Sequence, residues 1–263
     1  MPGTPDPDLI VIFGLGFTGK RLARRLLDRG IPVCAAVRDP GRFADLVQSG
    51  LRLNREFPKN AAIFYSIPPL SAEEESRIES QIRALEPSRI VYISSTAVYG
   101  EQSEVNENTL ANPNDARGRV RLDAENRIEA GPWTSLILRA AAIYGPGRGV
   151  HTALRDGRLP RGAGAGVVSR IHVDDLAAHA EAGLFADIKG AWPVADDAPC
   201  SSAEIAEWLG IQLNDAREFT IAGRRVDGRK IREILGIKLN YSTWETGIPA
   251  SIKEERDAEN LSL

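Results

Sequence analysis

Cysteine is nearly missing from this chain: there are two in 263 residues, Cys34 and Cys200, far apart and without Cys-x-x-Cys spacing. That argues against a disulfide framework and against a thiolate-held zinc site. Histidine is almost as scarce, with three residues. His172 and His179 are two turns apart only if both are helical, and His172 falls in an expected strand, so no metal site is expected. Neither sign of charge prevails. Lys and Arg number 33 against 36 Asp and Glu, a net −3, which leaves no basic footprint for nucleic acid and no polybasic membrane patch. No apolar run is long enough to span a bilayer and no charged-then-apolar leader opens the chain, so a cytoplasmic protein is expected. Residues 1–8, rich in Pro and Asp, read as a short frayed tail.

What remains is an ordinary globular composition, 43% hydrophobic and 26% charged, long enough to bury a substantial core without staples. Short apolar runs at 9–13, 33–37, 61–67, 89–93 and 135–138 read as buried parallel strands. Helical patterns fall between them, over 20–29, 43–49, 71–85 and 116–130, with Ser71 and Glu74 at capping-box spacing. Strand–helix alternation of this kind predicts an α/β doubly wound parallel sheet. Residues 1–145 read as a Rossmann dinucleotide-binding core. The interval 146–263 reads as a small, mainly substrate-side subdomain packed on it, with some return to the sheet. In that second part a strand is expected at 167–173, with helices at 174–185, 201–209 and 227–235.

The strand at 9–13 runs into Gly14-x-Gly16-x-x-Gly19 and then into a helix, the context a dinucleotide turn requires. Gly14 would allow the tight turn, Gly16 the approach of a pyrophosphate, and Gly19 close helix–strand packing. Backbone N–H groups at the helix start, at Phe17 and Thr18, would face the phosphates. Ser66 and Ile67 at the end of the third strand, and Ser94 at the end of the fourth, complete the expected cofactor contacts. A second glycine-rich stretch, 161–166, precedes a strand instead of joining strand to helix, and reads as a loop. The cofactor depends on the end of the second strand. Arg38 could hold a 2′-phosphate, favouring NADP, while Asp39 could reach the ribose of NAD or cap the next helix.

Several further stretches, in order, resemble the extended short-chain dehydrogenases, the NAD-dependent epimerase/dehydratase family: ISSTAVYG at 93–100, LRAAAIYGPG at 138–147, RIHVDDL at 170–176 and DGRKIREILG at 227–236. By that resemblance Ser95 matches the family's catalytic Ser/Thr, and Tyr99 and Tyr144 would shape a pocket. The family then has Tyr-x-x-x-Lys on the next helix, where four-residue spacing puts both side chains on one face. Aligning Glu125 with the family's trailing Glu places Arg117 at the Tyr position and Arg121 at the Lys position. Arg121 could still donate to ribose hydroxyls. Arg117 cannot act as the acid/base, because a guanidinium stays protonated. The departure resembles an atypical, YeeZ-like branch.

Two arginines on one helix face could pair with a carboxylate or phosphate on the substrate, or be a solvated basic face. Arg148, His151 and Arg170 are further polar candidates on the substrate side. His172 and Asp174 read as a strand-end His and a helix N-cap. Two functions stay open. One is an oxidoreductase or epimerase acting on a small carbonyl or sugar-like substrate, one that could be anionic. The other is a catalytically degenerate NAD(P)-binding sensor or scaffold. A homodimer through the 116–130 helix is implied by the resemblance alone.

Overall fold

The computed structural model describes residues 9–37, 39–53, 57–68, 72–159, 166–213 and 223–260. The expected tail 1–8, Arg38, the capping residue Ser71 and all but the last residue of the glycine-rich 161–166 stretch lie outside them.

Seven strands form one parallel sheet: β1 (Ile10–Phe13), β2 (Val33–Ala35), β3 (Arg52–Leu53), β4 (Ala62–Tyr65), β5 (Arg89–Ser95), β7 (Thr134–Ala140) and β11 (Gly190–Val194). Their order is β11-β7-β5-β4-β1-β2-β3. Successive strands leave β1 first toward β2 and β3, then resume on its other side at β4. That reversal opens a crevice beyond the carboxyl ends of β1 and β4, where doubly wound sheets bind ligands. The side-chain period of two assigns each strand residue a face. Ile10, Ile12, Phe64, Val91, Ile93 and Leu138 pack with Leu22 and Leu26 of α1 (Phe17–Asp28) and Leu176 and Ala180 of α6 (Val173–Phe185). Val11, Ile63, Tyr65, Ile90, Tyr92 and Ile137 pack on the other face with Ile78 and Ile82 of α3 (Ala72–Ala84) and Ala124 and Ile128 of α4 (Ala116–Glu129). Burial on both faces is why these strands read as continuous apolar runs instead of alternating ones.

Gly30 ends α1 as expected: at φ +71° its N–H donates to Leu27 and the next N–H reaches back to Leu26. The helix foreseen over 43–49 is a 3₁₀ turn at Pro40–Phe43 followed by α2 (Ala44–Gln48). Beyond α4 the chain adds β8 (Ala142–Tyr144), α5 (Val150–Arg155), β9 (Val167–Val168), β10 (Arg170–His172), β12 (Cys200–Ser201), α7 (Ser202–Trp208), β13 (Arg225–Val226), α8 (Arg229–Leu235) and α9 (Trp244–Asn260). The strand expected at 167–173 is thus two strands in different small sheets, β9 against β12 and β10 beside β8. The break falls at Ser169, whose hydroxyl accepts from Val226 N at 2.8 Å. The capping box at Ser201 and Glu204 forms in full. Tyr144, Leu154, Ile205, Trp244 and Ile248 make a separate core joining α5, α7 and α9, and β13 pairs with β6 (Glu104–Val105), binding the later region to the loop after β5. Among the described residues no helix is long and apolar enough to cross a membrane, and no cluster of His, Cys, Asp and Glu suits a metal ion.

Candidate functional site

Each glycine of the turn after β1 has a different job. Gly14 adopts φ +104°, and a Cβ there would sit 2.8 Å from Ser66 Oγ and 2.9 Å from Ile67 N. Ser66 Oγ donates to Gly14 O at 2.9 Å, fixing the end of β4 to the turn. A Cβ on Gly19 would lie 2.2 Å from Gly14 O, so α1 can approach β1 only with glycine here. Gly16 differs from both, since a Cβ would meet nothing within 4 Å. Its openness faces a cavity whose wall includes Gly16, Phe17, Thr18 and Ser66. The first turn of α1 holds no acidic residue and its N-cap no side-chain bond, so free N–H groups and the positive end of the helix dipole are available to an anion. A dinucleotide's pyrophosphate fits this cradle in shape and in charge.

The cavity measures about 740 Å³, within the usual range for ligand sites, and lies at the crevice where the strand order reverses. Ser94 and Ser95 at the end of β5, Thr96 just after it, and Ala140–Ala142 from the end of β7 to the start of β8 form its floor; Arg117 and Arg121 of α4 form one side. α4 begins at Asp115, whose carboxylate accepts from Gly118 N at 2.6 Å. A Cβ on Gly118 would stand 2.7 Å from Ala97 O, so the helix presses on the turn following Ser95. Arg121 Nη1 donates to the Tyr92 hydroxyl at 3.0 Å. Arg117, one turn earlier, is exposed and lines the cavity, and its side chain makes no hydrogen bond or ion pair among the described residues. Ser95 Oγ accepts from Ala97 N at 3.2 Å, which leaves its own O–H free to donate into the cavity.

Beneath this floor lies a buried polar network. Glu125, 1% exposed, accepts from Arg139 at Oε2, from Nη2 at 2.7 Å and Nε at 3.1 Å, and at Oε1 from the same Nε at 3.2 Å and from the Ser94 hydroxyl. Arg139 also donates to the Tyr99 hydroxyl at 3.3 Å and stacks 5.0 Å from its ring. Low dielectric makes such a network strong when complete and costly when broken.

Several expected site residues stand elsewhere. Tyr99 and Tyr144 are 1% exposed and absent from the cavity wall. Tyr99 serves the Arg139 network, and Tyr144 packs in the second core with its hydroxyl against Gly247. Burial raises the pKa of both phenols. Arg170 is likewise interior, its guanidinium held by the carbonyls of Val168 and Cys200 at 2.9 Å each and by Ser202 Oγ. Ser94 borders the cavity, but its hydroxyl is turned to Glu125. Ile67 stays off the wall between Ser66 and Pro68, which are on it. His151 is buried against Glu255 at 3.1 Å. The N-cap of α6 is His172, not Asp174: its Nδ1 accepts from Asp174 N at 3.2 Å, so the ring proton sits on Nε2 toward Ser251 Oγ. Burial, helped by the charge of Arg21, pushes this imidazole down to about 4, which keeps it neutral. Asp39 accepts from Gly41 N at 3.2 Å, taking the capping role.

Sequence reasoning missed part of the wall. Arg224 lines the cavity while donating to the carbonyls of Thr96 at 2.5 Å, Gln102 at 3.0 Å and Gly100. It ties the later region to the loop after β5 from more than 120 residues away, a distance no local pattern reveals. Glu101 and Gln102 also line the cavity. They follow the 93–100 motif directly, and that adjacency was a usable signal.

Fold and cavity together define a Rossmann-type, doubly wound protein with a ligand cavity at the switch point of its sheet. Solved structures with this fold include a functionally unknown conserved protein from Silicibacter pomeroyi DSS, with a TM-score of 0.74 and 29% identity over 94% of this chain and 99% of that one. MoeE5 in complex with UDP-glucose and NAD has a TM-score of 0.75 at 21% identity, over 95% of this chain and 99% of its own. The UDP-glucuronic acid 4-epimerase of Bacillus cereus, in complex with UDP-glucuronic acid and NAD, gives 0.74 at 17%, again over 95% and 99%. At such identities the last two show a common fold. A curated relative, the 3-diazoavenalumate denitrifying reductase of Streptomyces sp, is 38% identical over 98 residues. That match spans 35% of this chain and about a third, 31%, of the reductase. No family model matches the chain.

Proposed function

We propose that the chain is a nicotinamide-dinucleotide-dependent oxidoreductase or epimerase of the extended short-chain dehydrogenase type, acting on a small carbonyl or sugar-like substrate that carries an anionic group. One observation carries this reading: a single cavity brings the open Gly16 turn together with Ser95, Arg117 and Arg121. The neighbouring structures solved with NAD and the partial reductase match support it. The cofactor would supply or accept the hydride. Gly16, Phe17 and Thr18 would hold its phosphates, and Arg121 its ribose. Asp39 is occupied as a cap, which leaves Arg38 as our proposed partner for the 2′-phosphate of NADP, with NAD the alternative. Ser95 would donate to the substrate oxygen. Arg117, aided by Arg121, would pair with the substrate's anion, since two cations on one helix face repel until a counter-charge joins them.

A second reading, a dinucleotide-binding sensor descended from such enzymes and akin to the YeeZ-like branch, draws on the composition of the wall. Among the described residues no phenol, Lys or His lines the cavity, so the usual Tyr–Lys chemistry has no obvious stand-in. Turnover assays separate the two. The enzyme reading expects slow NADPH-dependent reduction of anionic carbonyl compounds, slower in Ser95→Ala, with Arg117→Ala chiefly raising KM. Complete inactivity of the parent across keto acids and nucleotide sugars, with activity appearing in Arg117→Tyr/Arg121→Lys, would establish the sensor reading instead.

A further inference from the structure

We propose that Arg148 is a phosphate clamp, binding the pyrophosphate of the bound dinucleotide beside the start of α1. The inference rests on the dinucleotide reading of the Gly14–Gly19 turn and adds a residue from the later part of the chain.

Arg148 is displayed on a tightly fixed turn. Gly145 and Arg148 exchange backbone hydrogen bonds at 2.9 and 3.0 Å, and glycines flank the arginine at φ +72° and +124°, values that side-chain-bearing residues adopt at a cost. Gly147 N donates to Glu255 Oε1 at 2.7 Å. Glu255, on α9, is held in turn by Arg155 at 2.7 Å and His151 at 3.1 Å. The backbone carrying Arg148 is thus anchored from two helices, α5 and α9. The turn also presses directly on the glycine loop, where a Cβ on Gly145 would come 3.1 Å from the ring of Phe17.

The guanidinium lies 5.3 Å from the centre of the Phe17 ring, and Phe17 stands between Gly16 and Thr18 on the wall of the same cavity. Stacking of this kind restrains a planar cation and aims its fork of N–H groups. The other arginines on the wall differ. Arg224 spends its donors on three carbonyls, Arg121 is engaged by Tyr92, and Arg117 belongs to α4. The Arg148 side chain makes no hydrogen bond or ion pair among the described residues, so five donors stand beside a helix start with no acidic residue in its first turn. A diphosphate bridging the two would satisfy both, with a bidentate bond from the arginine. The consequence is coupling: occupancy of the glycine turn would be linked through Arg148 to the 145–149 turn, which Glu255 ties to α5 and α9.

Calorimetric titration with ADP-ribose and with NADP tests the clamp without needing a substrate. ADP-ribose carries the pyrophosphate and lacks the nicotinamide. Loss of a charge-assisted bond predicts that Arg148→Ala weakens both ligands about tenfold to a hundredfold, flattens the dependence of affinity on salt, and leaves the thermal midpoint unchanged because the side chain is exposed. Arg148→Lys should recover part of the affinity as a point charge. If Arg148→Ala binds both ligands as the parent does while Gly16→Val binds neither, the dinucleotide reading stands and the clamp falls. If the parent binds neither ligand, both fall together.

Discussion

Removing the Glu125 carboxylate should be among the most damaging single changes to this protein, though Glu125 is not on the cavity wall. Its side chain is 2% exposed and pairs with Arg139, itself 11% exposed, at 2.7 Å. In Glu125→Ala the guanidinium stays buried with one remaining side-chain partner, the Tyr99 hydroxyl at 3.3 Å, and the Ser94 hydroxyl loses its acceptor. Breaking a buried pair from one side costs about 3–5 kcal/mol, chiefly because the other charge is left uncompensated. For a chain of this size that lowers the midpoint of thermal unfolding by roughly 6–20 °C. Urea unfolding followed by tryptophan fluorescence, with four tryptophans as reporters, gives the free energy directly. The same reasoning makes a second demand. Glu125→Met/Arg139→Met removes both charges and should recover most of the loss, since apolar replacements of buried pairs are often neutral or better. A Glu125→Ala protein within about 1 kcal/mol of the parent would refute the argument. So would a double variant as unstable as the single one.

Two further outcomes follow from the geometry. Gly19→Val should fail to fold or melt far below the parent in thermal scans, because its Cβ would sit 2.2 Å from Gly14 O; a normally stable variant would contradict the packing of α1 on β1. His172, held near 4 by burial, is neutral when folded and titrates near 6.5 when unfolded. Between those values the unfolded chain binds more protons, so its contribution is complete above about 6.5, shrinks as pH falls, and is gone below about 4, a span of roughly 3 kcal/mol. His172→Gln should flatten that part of the stability profile relative to the parent. The comparison cancels His179, which behaves alike, and Asp196, whose carboxyl burial pushes up to about 7 and which acts in the opposite sense.

The parallel sheet was legible in the sequence because its central strands are buried on both faces and read as apolar runs. β11 was not. It contains Gly190 and Pro193, residues that argue against a central strand, and it forms because an edge position tolerates the missing N–H of proline. α9 hid for a similar reason, with Gly247 and Pro249 inside its seventeen residues, and α5, six residues long, follows Gly145, Pro146, Gly147 and Gly149 directly. In the site, the glycine turn depends on local spacing and could be read directly, while Arg117 and Arg121 were singled out by the resemblance and their four-residue spacing on an expected helix put them on one face. Whether Tyr99, Tyr144 and Arg170 face ligand or core depends on contacts with Arg139, Gly247 and Cys200. Those contacts are distant in sequence, and a motif alone carries no sign of them.

The central claim is that the Gly14–Gly19 turn is a phosphate cradle with room left open at Gly16. Titration of NADPH and NADH into the parent and into Gly16→Val tests it most directly. Position 16 has φ −87° and no neighbour within 4 Å of a Cβ, so the valine variant should keep the parent's circular dichroism and melting behaviour while its side chain fills the pyrophosphate's path. The account predicts saturable binding by the parent and none by the folded variant. A folded Gly16→Val protein that binds dinucleotide as tightly as the parent would contradict it.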